Sequence, residues 1–163
     1  MDRFLFAICL MSVALLQATF VPAANVLTIV PDVALVLLLV WSSSRGVREG
    51  VIWAFGLGLW LDFLTLDMLG THVLPLLVVA VIGGVSQGRL FRSGLVLPAV
   101  AVIGATLAYR IVEMLVRVLT GDVVLMPAEV RLAILAALLN VLLVPLVYGF
   151  VLIMDRWIPK RVS

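Results

Sequence analysis

Six apolar runs dominate this chain, at about residues 3–21, 26–44, 50–66, 72–87, 94–119 and 132–154, and only short connections separate them. A helix needs roughly 20 apolar residues, within a range of about 17–25, to cross the hydrocarbon of a bilayer. The runs therefore predict an all-α membrane protein in which residues 1–163 form one six-helix transmembrane bundle. Composition points the same way. The chain is 65% apolar and 12% charged, against about 45–50% and roughly 25% in soluble domains. A water-soluble fold of 163 residues has too little interior to hide that much apolar surface, whereas lipid solvates the outside of a bundle.

The cations set the orientation. Arg3, Arg45, Arg48, Arg89, Arg92, Arg156, Lys160 and Arg161 fall at the termini and in the even-numbered connections, and only Arg117 and Arg131 fall on the other side. The positive-inside rule then places both termini in the cytoplasm, and six crossings return the chain to its starting side. The opposite connections carry Asp67, Asp122 and Glu129. An alternative reading of the first run is a secretory signal peptide, with Val21-Pro22-Ala23-Ala24 as its cleavage region. The run is longer than the usual 7–15 residues of such an apolar region, and its single basic residue is offset by Asp2.

The second run is interrupted by Pro31 and Asp32. A helix from Asp32 to Ser44 would rise only about 20 Å at ~1.5 Å per residue, less than the ~30 Å of hydrocarbon. Either residues 22–31 enter the outer leaflet as irregular chain shielded by protein, or a proline-kinked helix runs through. Pro145 in the sixth run predicts another kink, and Asn140 one turn earlier is placed to satisfy freed backbone or bind a neighbouring helix. Trp41, Trp53, Trp60 and Trp157 near run ends read as an interfacial belt.

Asp32, Asp62, Arg110 and Glu113 lie inside apolar runs. Each costs about 2.5–3.5 kcal/mol at a helix centre on insertion scales, so such residues face protein or water and have partners. Gly50, Ala54, Gly58 and Asp62 are four apart and share a helix face; small residues there admit a close neighbouring helix. Asp62 is then either a structural partner or a functional group, or the glycines pack and the acid sits near the surface. Thr106, Arg110, Glu113, Arg117 and Thr120 form one polar stripe, with Arg110 and Glu113 spaced to pair. Counted from Gly50 and Gly94, Asp62 and Arg110 lie about 18 and 24 Å along their axes, both in the outer half. The expectation is one outer-half cluster of Asp32, Asp62, Arg110 and Glu113; the rival reading pairs Arg110 with Glu113 only locally.

Other chemistries find little support. The cations form no surface stripe of the kind that binds nucleic acid. His72 is the one histidine and Cys9 the one cysteine, so neither a zinc set of three or four ligands nor an intrachain disulfide is expected, and no cofactor. His72 reads as an anchor at the outer end of the fourth helix. No nucleophile–base spacing and no P-loop are apparent.

Pro31-Asp32-Val33-Ala34-Leu35 opens a span, and Gly50 to Asp62 reads GVIWAFGLGLWLD, followed by Leu69-Gly70-Thr71-His72. In these residues, and in length and layout, the chain resembles the bacterial rod-shape-determining protein MreD family. Met68 stands where that family tends to have proline. The resemblance implies a noncatalytic scaffold of the cell-elongation machinery that supports rod shape and peptidoglycan synthesis. It also implies a helix layout similar to the substrate-binding subunits of energy-coupling-factor transporters. The implied partners are an MreC-like single-span protein, and with it MreB, a SEDS glycosyltransferase and a class B penicillin-binding protein. On this reading Pro31, Gly50, Ala54 and Gly58 pack helices, Gly70 and His72 form an outer turn, and Asp32, Asp62, Arg110 and Glu113 are structural or bind the partner. The alternative is a small-molecule-binding transporter subunit with the polar cluster as its pocket floor, although no aromatic ligand cage is apparent there.

Overall fold

A computed structural model describes residues 3–23, 31–66, 68–88, 96–121 and 126–157, with side chains over 6–19, 31–66, 68–88, 96–121 and 130–149. Six helices follow one another: α1 (Arg3–Ala23), α2 (Val33–Arg45), α3 (Val47–Thr65), α4 (Val73–Val85), α5 (Val96–Leu119) and α6 (Met126–Trp157). No strand occurs among the described residues.

The shortest helices are the best enclosed. α2 packs against all five others, and every residue from Ala34 to Ser43 is buried. A helix apolar on all sides needs such a central place. Around it lie Phe6, Leu10 and Ala14 of α1, Ala54 and Leu57 of α3, Leu76 and Val79 of α4, Val102 and Ala105 of α5, and Val144 of α6. The outer surface is apolar as well: Ile52 is 62% exposed, Phe63 65%, Ile111 64% and Leu142 68%. Large apolar side chains exposed over several helices form the kind of surface that marks contact with a membrane or with another protein.

Successive helices alternate in direction from α1 to α4. Phe6 near the start of α1 stacks on Trp41 near the end of α2, with centroids 3.8 Å apart. Gly46 alone joins α2 to α3; its φ of +94° is one that residues with a Cβ avoid, and its N–H donates to the Ser42 carbonyl at 2.8 Å. Gly84, near the end of α4, packs against Val47 at the start of α3. The starts of α1 and α3 therefore meet the ends of α2 and α4.

Length separates the helices. Val96–Leu119 and Val130–Gly149 are each long and apolar enough to cross a bilayer unaided. α2 and α4 have 13 residues each, or about 20 Å of rise. α3 carries Arg48, Glu49 and Asp62 within its 19 residues.

Several expectations change. Pro31 and Asp32 are not helical, so no kinked helix runs through them; residues 24–30 lie outside those described. The Asp32 carboxylate accepts the Leu35 N–H at 2.9 Å as an N-cap, and capping by Asp fixes a helix start. α6 begins at Met126, earlier than expected, because Pro127 sits in the first turn, where no N–H is needed. It continues through Pro145. Trp41 is not a belt residue: it is 2% exposed, enclosed by Phe6 and beneath the Arg45 guanidinium at 5.2 Å. Trp53 meets the Phe6 ring edge-on at 5.2 Å, and the Trp157 side chain lies outside those described. Both rings turn inward because α1 and α3 close over the end of the central helix.

Candidate functional site

The α3 stripe leads to a carboxylate. Gly50, Ala54 and Gly58 are buried, with Gly50 against the Ser42 side chain and Gly58 against the backbone of Val73. A Cβ on Gly58 would lie 2.5 Å from the Val73 Cα, so only glycine lets α4 approach. One turn on, Asp62 is 1% exposed. Its Oδ2 accepts the Gly70 N–H at 2.7 Å, its Oδ1 accepts the His72 N–H at 2.8 Å, and the His72 Nδ1 lies 2.9 Å from Oδ1. The first N–H groups of a helix have no partner within it and carry partial positive charge. Asp62 supplies both the acceptor and the charge at the start of α4. The turn is closed further by Thr71, whose hydroxyl donates to the Met68 carbonyl at 2.8 Å.

On α5 the stripe closes on itself. The Glu113 Oε2 accepts from Arg110 at 3.0 Å and its Oε1 from Arg117 at 2.9 Å. Glu113 is 6% exposed, whereas the arginine side chains are 34% and 42% exposed. The Arg110 guanidinium also lies 5.9 Å from the centre of the buried Tyr109 ring.

A third set ties four helices. Gln17 of α1 donates to the Asp32 carboxylate at 3.2 Å, and its Oε1 accepts the Ala34 N–H at 3.1 Å. It also donates to the Pro31 carbonyl at 3.4 Å. The Asp32 N–H donates to Asn140 Oδ1 of α6 at 2.7 Å, and Asn140 Nδ2 donates to Thr106 Oγ1 of α5 at 3.0 Å. Asn140 is fully buried and satisfied through neighbouring helices.

The four ionisable residues thus do not form a single hydrogen-bonded cluster. Asp62 is held by the α3–α4 turn, whose Gly70 and His72 N–H groups donate to it. Glu113 is the hydrogen-bonded partner of Arg110, and the Asp32 carboxylate accepts from Gln17 and the Leu35 N–H instead. Gln17 was missed; its signal was a lone amide in an otherwise apolar run, a residue type that bonds across membrane helices. Among the described residues no three His, Cys, Asp or Glu side chains gather where they would hold a metal. Asp62 and Asp32 accept hydrogen bonds from other elements and tie them together, whereas Glu113 accepts only from arginines of its own helix.

The family model described as rod shape-determining protein MreD matches residues 1–154. No curated protein and no solved structure matches the chain. A match over 154 of 163 residues covers all six helices but for the last residues of α6. Its family is one of the inner membrane with a role in rod shape determination. The chain belongs to the MreD family of rod shape-determining proteins.

Proposed function

We propose that this protein is a noncatalytic scaffold of the cell-elongation machinery. It crosses the inner membrane six times with both termini in the cytoplasm, and it supports rod shape and peptidoglycan synthesis by binding an MreC-like single-span protein. MreB, a SEDS glycosyltransferase and a class B penicillin-binding protein act in the same assembly. The layout in this reading is that of energy-coupling-factor substrate-binding subunits.

The family match over residues 1–154 carries the reading. The alternating direction of α1 to α4 supports successive crossings, and the apolar exposed faces support lateral binding of another membrane helix. The short α2 and α4 fit if protein encloses them, since backbone short of the membrane surface is tolerated only inside protein or beside water. The test is coexpression with an MreC-like single-span protein and purification in mild detergent through a tag on either chain. Co-elution at a constant ratio is expected; complete separation with both proteins folded would overturn the reading.

A further inference from the structure

α1 is attached differently from the other helices. Among the described residues it packs against α2 and α3 alone. Of its described side chains only Phe6, Leu10 and Ala14 are buried, one per turn along a single narrow stripe, whereas every residue of α2 from Ala34 to Ser43 is buried. A clasp lies near each end of that stripe. Near the start, the Phe6 ring stacks on Trp41 with centroids 3.8 Å apart. About 16 Å along the axis, the Gln17 amide donates to the Asp32 carboxylate and the Pro31 carbonyl and accepts the Ala34 N–H.

α1 can stand in lipid by itself. It has 21 residues, about 31 Å of rise, which matches the ~30 Å of hydrocarbon, and residues 4–23 carry no charge. Apolar side chains gain little by leaving lipid for another helix, so membrane helices are held together by close packing and hydrogen bonds. A narrow stripe and one amide make a weak hold, and regions with few buried apolar contacts open at low free energy. α5 and α6 are long enough to cross as well, but they pack on each other and on α2, and the buried Asn140 and Thr106 tie them together. Closure of α1 also has a cost: the Trp41 indole that Phe6 covers keeps its N–H buried without an acceptor, and such a donor carries the full cost of its desolvation.

We propose that α1 is a lateral gate over the central helix. It separates from α2 and α3 as one unit, at the Phe6 and Gln17 clasps, while α2 to α6 stay packed. Opening bares the face of α2 that carries Trp41 and lets an acceptor reach its N–H.

The test uses the full chain in mild detergent, with Cys9→Ser removing the native thiol. Single cysteines then replace fully buried alanines: Ala14→Cys on α1, Ala80→Cys on α4 and Ala105→Cys on α5. A small uncharged thiol reagent, methyl methanethiolsulfonate, is added under native conditions, and labelling is timed by mass spectrometry. Ala14→Cys should label about tenfold faster or more than Ala80→Cys and Ala105→Cys, which report opening of the rest. Adding Gln17→Leu should speed labelling at position 14 about fivefold, the effect of roughly one hydrogen bond between membrane helices. Phe6→Leu should do so by about the same factor through loss of the ring stack. The clasps are far enough apart for their effects to multiply, and neither variant should change labelling at positions 80 and 105. Equal labelling at the three positions, clasp variants that speed all three alike, or clasp variants that leave position 14 unchanged would each overturn the proposal. The comparison of the three cysteines needs no change at either clasp, so it decides the matter even where a clasp variant fails to fold.

Discussion

Asp62 and Glu113 are both buried carboxylates on apolar helices, at 1% and 6% exposure, yet they are satisfied in opposite ways. Asp62 is held chiefly by backbone: two N–H groups of the α3–α4 turn, with His72 beside it. Glu113 is held only by side chains, two arginines that also reach the outer surface. A carboxylate at a helix end finds the unpaired donors of the next helix and becomes part of the chain's path. One inside a helix finds no free backbone and depends on long side chains that other groups can also engage. The first is therefore fixed by the fold of the turn, and the second by the conformations of two partly exposed arginines.

The largest effect should come from Asp62→Ala, which leaves two backbone N–H groups without a partner in a buried turn and lowers stability by ~3 kcal/mol. Thermal unfolding in detergent measures it; a loss as small as that of a surface substitution would break the distinction. Gly58→Ala places a Cβ against the Val73 backbone and should cost about 2 kcal/mol by overpacking, which sharpens the claim that this end of α3 is set by close approach. Asn140→Ala removes the link from α6 to Asp32 and Thr106 and should cost ~1 kcal/mol, the range of hydrogen bonds between membrane helices. Smallest is Arg117→Gln, within about 0.5 kcal/mol because the pair is partly exposed. A large loss there would place Glu113 in the same class as Asp62.

Much of this architecture was legible in the apolar runs. Six runs became six helices, and the interruption at Pro31-Asp32 became a helix start, because proline and a capping aspartate act locally. The four-residue spacing from Gly50 to Asp62 told which face of α3 is buried. It did not tell which element lies opposite, since the partner of Asp62 comes from a turn eight to ten residues on. The residues expected in one cluster take separate hydrogen-bond partners for that reason: depth along a helix was readable, and the bonded partner was not. Trp41 failed similarly, as a position near a helix end says nothing about whether α1 and α3 cover it. Gln17 and Asn140 meet at Asp32 from opposite ends of the sequence, a contact that no local spacing encodes.

The contrast between the two carboxylates is tested most directly by unfolding Asp62→Asn and Glu113→Gln side by side in mild detergent. A loss of about 1–3 kcal/mol is expected for Asp62→Asn, which leaves a backbone N–H of the α3–α4 turn facing an amide, and a smaller loss for Glu113→Gln, whose partly exposed arginines turn to other acceptors. Equal losses for the two variants would contradict the distinction.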